Sequence, residues 1–428
     1  MFLKLWGMSY RRLGDMVKFI SNKNTDGNAT VLFGINIDKF FMPSVANIIG
    51  VDLKKYKLVK KYQFACNRMH VGRDERLPIS MSTFDYDFIV SPAYDVFEVT
   101  SSDVLPEYLM LWFRRKEFDR QCWFCTDADV RGGLHLDALK SIEIKVPSIE
   151  EQRQIVAQYQ SIANKIKVNE QICEKLEAAA QALYKHWFVD FEFPYSPPSE
   201  GCPQDGVVIE KTYKSSGGKM VWNEELGKEI PEGWKVKSLG EISKIITKGT
   251  TPKEMSFLKN DYYSIPFIKG ETINENHTLN NDKTSYINDN IHNADLKRSI
   301  IYKHDILFSI AGTLGKYSIY EENHNANCNQ AVALIRSNKA KYIYWNFLAN
   351  EHKEYFNFNI QQAVQANYSL DTVSNYRLLV AKDNDLVDFF TTKIYYPILN
   401  FRVQSQKLTQ LQSLLLSRLA VGEEAEAS

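Results

Sequence analysis

Two sets of side chains in this sequence have the chemistry to read or grip a nucleic-acid duplex. The first is Arg68, His70, Arg73 and Arg131, with Lys54, Lys55, Lys57, Lys60 and Lys61 close by in sequence. The second is Lys248, Thr250, Lys269, Lys316, Gln361, Gln362, Gln365 and Asn367. Guanidinium and ammonium groups donate to guanine edges and to phosphate oxygens, and side-chain amides pair bidentately with adenine. Taken singly, each is more often a solvated surface residue. Arg73 and Lys316 stand out, because each follows a glycine, Gly72 and Gly315, at the same place in its set.

Bond-making chemistry leaves no comparable trace. There is no HExxH, no GxSxG and no GxGxxG. Gly312-Thr-Leu-Gly-Lys316 is too short for a phosphate-binding loop, and Tyr317 follows where Ser or Thr is needed, so it reads as a hairpin turn. Tyr195-Ser-Pro-Pro198 lacks the asparagine of an adenine methyltransferase motif. Cys122-Trp-Phe-Cys125 has no second pair and reads as packing, not zinc. Six cysteines at irregular spacing are no disulfide framework. The formal net charge is zero, so any affinity for nucleic acid has to come from local patches. No apolar run is long enough for a membrane span or a signal peptide, which makes a reducing cytoplasm the expected compartment.

The elements that must position these residues follow from periodicity. Ile155, Tyr159, Ile162, Ile166, Asn169, Cys173, Leu176, Ala180, Leu183 and Trp187 recur in steps of four and three. That is a heptad seam and predicts one long helix over 148–190, packed on a partner helix. Ser148-Ile-Glu-Glu151 reads as its capping box. A rod of about 40 residues is roughly 60 Å long. A matching seam lies in 383–422: Phe390, Ile394, Phe401, Gln404, Leu408, Leu411 and Leu415. Pro397 interrupts it and predicts a kink or break.

Outside the rods the sequence repeats itself. Leu13-Gly-Asp15 matches Leu239-Gly-Glu241, Asp52-Leu-Lys54 matches Asp295-Leu-Lys297, and Leu136-Asp137 matches Leu370-Asp371. The domains expected are 1–147, then the helix 148–190, a Pro/Gly/Ser-rich linker 191–233, a second domain 234–382, the helix 383–422 and a tail 423–428. In the first domain, strand signals fall at Val31–Ile37, Gln63–Cys66, Phe88–Val90, Val96–Val99 and Ile142–Val146, and one helix at Leu105–Phe118 with Ser102 or Asp103 near its cap. The fold class is α+β: two mixed α/β domains separated by two long antiparallel coiled-coil helices, a pseudo-two-fold dumb-bell. Antiparallel seams centred on Asn169 and Gln404 would pair Ile162 with Leu411, Ile166 with Leu408, Cys173 with Phe401 and Ala180 with Ile394. Two similar, non-identical domains at a fixed separation suit a reader of two short duplex sequences.

Five stretches resemble the specificity subunits of type I restriction–modification systems. They are Leu139–Val156 at the entry to the first rod, Glu174–Pro194 at its end, Leu226–Ile242, Asp305–Lys316 and Gln406–Leu419. Where the second domain has LFSIAGTLGK the first has FACNRMHVGR, a departure expected of domains that read different sequences. Met8 resembles the usual start of the family, so Met1–Gly7 reads as an upstream extension. The resemblance implies a non-catalytic subunit that recognises a bipartite target with a non-specific spacer in double-stranded DNA. It implies two adenine-methylating modification subunits as partners and, where the system has them, two restriction subunits. S-adenosylmethionine, ATP and magnesium would belong to those partners. The alternative is a stand-alone two-domain DNA-binding protein without catalytic partners.

Overall fold

A computed structural model of the chain describes residues 9–44, 51–69, 71–126, 133–192, 214, 219–361, 366–380 and 391–419. It divides into two compact units, Met1–Val168 with Gln404–Ser428, and Asn169–Val403. The division falls at Asn169 and at Gln404, the two polar residues on which the sequence pattern centres the seams. Each unit therefore holds one globular domain, one half of the first long helix and the opposite half of the second.

The first domain is built on a four-stranded antiparallel sheet in the order Val17–Ile20, Asp95–Val99, Phe64–Cys66, Ile79–Met81. Phe64 and Phe97 stack with ring centroids 5.0 Å apart, and Phe113 packs edge-on to Phe64. The five strand signals each overlap an observed strand. The single helix expected over Leu105–Phe118 is instead two, Pro106–Phe113 and Lys116–Phe124. Arg115 is extended between them and buried, its guanidinium 4.2 Å from the Trp112 ring centroid. Asp103 caps nothing; it accepts two bonds from Arg11, at 2.8 and 2.6 Å. The first helix starts under the buried amide of Gln152, which accepts from Leu105 N and donates to the carbonyls of Asp103 and Pro147. One side chain thus ties the long helix to its domain.

The second domain repeats this plan strand for strand. Its sheet runs Ile245–Lys248, Val332–Arg336, Ile306–Ser309, Tyr317–Ile319, again all antiparallel. Helices Ala340–Leu348 and Glu351–Gln361 take the places of Pro106–Phe113 and Lys116–Phe124. The Leu-Gly match has a structural cause. Ser9–Arg12 pairs with Glu143–Val146, and Lys235–Ser238 with Arg377–Val380. Each pair delivers a buried leucine, Leu13 or Leu239, whose N–H bonds Ile142 O or Tyr376 O. The glycine that follows lies against a short helix, and a Cβ there would press on Lys140 or Ser374. The second domain adds a sheet of its own, Ser285–Ile287, Ile265–Ile268 and Asn327–Cys328.

The expected linker is partly structured. Met220–Asn223 and Lys228–Pro231 form a hairpin, and Phe191, Ile230 and Trp234 are buried in the second unit's core. The turn residues Pro194, Pro197, Pro198, Gly201, Pro203 and Ser215 to Gly218 lie outside the described residues, and a short hairpin is too brief to show a period.

The first long helix is Ile149–Tyr184, followed by a π turn Lys185–Val189. Its capping box is formed: Ser148 N donates to Glu151 Oε2 at 2.9 Å, and Glu151 N to Ser148 Oγ at 3.3 Å. Every seam position from Ile155 to Trp187 is buried or half-buried, and Asn169 is wholly buried. The second helix is Tyr396–Arg418 after a π turn Thr391–Tyr395. Pro397 comes just after that π turn, where its missing N–H removes a bond of the regular α ladder, so the helix departs from α geometry at the place where a kink or break is expected. Phe390 lies outside the described residues. Ile394, Phe401, Leu408 and Leu415 line the covered face as expected, but Gln404 and Leu411 are exposed. Ile398, Ser405 and Gln412 take the intervening positions. A heptad admits steps of three or four, and this helix takes the other order. Buried Arg402 helps fix that face by bonding Glu177 and, at 3.0 Å, the Tyr344 hydroxyl. Cys173, Ala180, Ile394 and Phe401 share one apolar cluster, and Cys173 Sγ meets Ile398 O at 3.8 Å. In the other unit, Leu419 packs against the cluster that Ile155 and Val156 cover.

Candidate nucleic-acid interface

The third and fourth strands of the two sheets are joined by different connections. In the first domain this is Asn67–Pro78, and in the second Ile310–Lys316. These are the segments in which the two sequences part company.

On the first connection Arg68 is turned inward. Its Nε donates to Asp95 at 2.5 Å, and its guanidinium also bonds Leu134 O. That holds the connection against residues 133–134. Arg73 lies on the short helix Val71–Asp74, with its side chain 64% exposed and its guanidinium 2.7 Å from Asp74. His70 and Arg131 lie outside the described residues. The nearby lysines are largely matched by acids or carbonyls: Lys55 with Asp52, Lys60 with Asp87, Lys61 with Asp85, and Lys57 with Tyr94 O. Lys54 is exposed.

The second domain gathers more of its candidates. Thr313 Oγ1 donates to Gly270 O at 2.9 Å, which joins the Ile310–Lys316 connection to Lys269. Lys269 Nζ lies 2.8 Å from Glu271 and 5.1 Å from the Phe257 ring centroid. Lys316 Nζ is 2.8 Å from Glu275. Thr250 accepts from Arg298 at 2.9 Å, and Thr251 donates to Gln330 at 2.6 Å. Lys248 and Asn367 are exposed. Gln362 and Gln365 lie outside the described residues, as does the side chain of Gln361. Gly249 sets the approach of the Lys248–Thr250 segment, since a Cβ there would fall on Cys328 O. Phe257, Leu258, Arg298 and Glu275 were not singled out from the sequence. The one usable signal was an apolar pair inside a polar, lysine-flanked loop.

Lys316 also lines a polar cavity of about 570 Å³ with Glu275, His277, Glu177 and Lys353. His277 stacks on Tyr317 with centroids 4.1 Å apart, and its Nδ1 donates to Tyr317 O at 3.3 Å. Burial, reinforced by the Arg402 charge, pushes His277 down to about 3, and burial with the Lys353 charge pushes His352 down to about 4. Both rings are therefore neutral at pH 7. The Cys122 thiol is buried and pushed up by that burial. Among the described residues no cluster of His, Cys, Asp or Glu is placed to hold a metal ion, and no helix is long and apolar enough to cross a membrane.

What these loops can do is donate and accept at an extended polar surface. Comparison with known proteins identifies the family. A family model described as the type I restriction modification DNA specificity domain matches residues 7–178 and again 231–384. The chain belongs to this family. Each match covers one of the two repeated domains, so the specificity protein carries two recognition domains. The chain is 25% identical to the type I restriction enzyme HindI specificity subunit of Haemophilus influenzae, covering 96% of this chain and 98% of that one. It is 24% identical to the MjaIX specificity subunit of Methanocaldococcus jannaschii, over 76% and 70%. Among solved structures it resembles a type I restriction–modification S subunit from M. genitalium, with a TM-score of 0.50, 13% identity, and 98% and 97% covered. That likeness supports the fold of two mixed domains with long helices.

Proposed function

We propose that each recognition domain reads one half of a bipartite site in double-stranded DNA, and that the long helices dock two modification subunits. The observation that carries this reading is the strand-for-strand repeat joined to unlike connections. A common scaffold presents Asn67–Pro78 in one domain and Ile310–Lys316 in the other, so the two can recognise different bases. On this reading the chain itself makes and breaks no bonds. Adenine methylation with S-adenosylmethionine belongs to the modification subunits. ATP and magnesium belong to restriction subunits where the system includes them. The complex acts on cytoplasmic DNA.

The test is an exchange of residues 10–146 for the same region of a relative, followed by mapping of methylated adenines in cells carrying the system. One half of the methylated motif should change and the other stay. A change in both halves, or in neither, overturns the assignment of one domain to each half-site. A free chain that binds its duplex tightly and forms no complex with co-expressed modification subunits would favour a stand-alone DNA-binding protein.

A further inference from the structure

The second domain displays two adjacent apolar side chains that its own core leaves uncovered. Phe257 is 72% and Leu258 77% exposed. They sit on a fixed turn. Ser256 is locked to Tyr286 by backbone bonds in both directions, at 2.9 and 2.7 Å. Its hydroxyl donates to Leu258 O and accepts from Leu258 N, at 2.8 and 3.0 Å. On the far side Asn260 accepts from the N–H groups of Tyr262 and Tyr263. A turn braced in this way holds its apolar tip out in water instead of folding it down.

The surroundings place this tip beside the candidate base-reading loop. Lys269, paired with Glu271, lies over one face of Phe257, and Lys253 and Lys259 flank the pair in sequence with Glu254 and Asp261, so the local charge is balanced. Lys269 leads through Gly270 and Thr313 to the Ile310–Lys316 connection, so the tip adjoins the candidate base-reading loop. Large apolar side chains on a rigid turn beside a polar reading loop have the chemistry of residues that enter a duplex and part a base step. We propose that Phe257 and Leu258 form such a wedge at the half-site read by the second domain. The proposal rests on the reading of this chain as a duplex reader. A pyrimidine–purine step is the favoured point of entry, because it unstacks most easily.

The experiment uses the full chain with its modification subunits and a duplex carrying the mapped methylation motif. 2-Aminopurine replaces single bases of the second half-site, avoiding the methylated adenine. Wild-type binding should raise fluorescence at one step. The Phe257→Ala/Leu258→Ala double variant should lose that rise and bind the specific duplex about ten-fold more weakly. Both side chains are exposed, so the variant should keep its circular dichroism spectrum. Phe257→Trp should retain the signal. Wild-type binding without a rise anywhere in that half-site, or a rise that survives in the double variant, overturns the wedge. A wild-type complex that binds no duplex at all would overturn the duplex-reading function instead.

Discussion

Arg73 and Lys316 occupy corresponding connections in surroundings that differ. Arg73 is exposed and paired with its neighbour Asp74, whereas the Lys316 side chain is 23% exposed and paired across the loop to Glu275. Exposed ion pairs contribute little, so either side chain can be given up to a stronger acceptor. If they reach base edges, Arg73→Ala and Lys316→Ala should each weaken specific binding by about 1–3 kcal/mol. Contacts to phosphate alone would give a similar loss on every sequence and a shallower salt dependence, measurable by titration at several salt concentrations. Unchanged binding in both variants would place the residues away from DNA. The histidines behind Lys316 supply a second expectation. Their folded values, about 3 for His277 and about 4 for His352, lie below the ordinary 6.5. The unfolded chain therefore binds more protons, and stability falls as pH drops from 6.5 towards those values. Between pH 7 and 5 each should contribute a loss of about 2 kcal/mol. Denaturant melts should show His352→Gln with a flatter pH dependence than wild type; an equal slope would rule out its share.

Elements were legible where their pattern is long. The first helix shows its seam over many turns, and its start is spelled out by Ser148 and Glu151, so both agree with the structure. The second helix shows the limit of the same reasoning. Heptad steps are ambiguous by one residue, and burial chose Ser405 and Gln412 over Gln404 and Leu411. Tertiary contacts also decided the break at Arg114–Arg115, where stacking on Trp112 outweighs helix propensity. Gly249 carried no visible signal, because its role depends on a strand far away in sequence. Its Cβ position lies on the backbone oxygen of Cys328, which no rotamer change relieves. Gly249→Ala should therefore destabilise the second domain by at least about 1–3 kcal/mol, the usual cost of overpacking. Gly312→Ala makes a useful contrast. Its φ of +73° disfavours alanine, but no atom lies within 4 Å of the added carbon. Thermal melts should place Gly249→Ala well below Gly312→Ala, and the reverse order would show that the Lys248–Thr250 segment is free to move.

At the scale of the whole molecule, the repeat was the most legible feature, because short motifs such as Leu-Gly recur wherever the same packing problem recurs. Base identity was not legible. On the proposed reading it depends on which atoms of Asn67–Pro78 and Ile310–Lys316 meet a base edge, and loops tolerate changes that leave the scaffold intact. The rods carry the remaining expectation, that helix length sets the spacer between the half-sites. Division of the chain at Val168–Asn169 and at Val403–Gln404 makes this testable, because insertions there leave the interior of each unit alone. Seven residues added just after Asn169 keep the heptad phase and add about 10 Å of helix. A matching insertion at Gln404 keeps the two seams in step. The added length is close to 3 base pairs at about 3.4 Å per step. Mapping of methylated adenines should then find both half-sites unchanged and the spacer longer by about that amount. An unchanged spacer in the doubly extended variant would show that helix length is not the ruler. Insertion in only one helix should break the seam and abolish methylation, since the covered faces of Phe401, Leu408 and Leu415 would lose their partners.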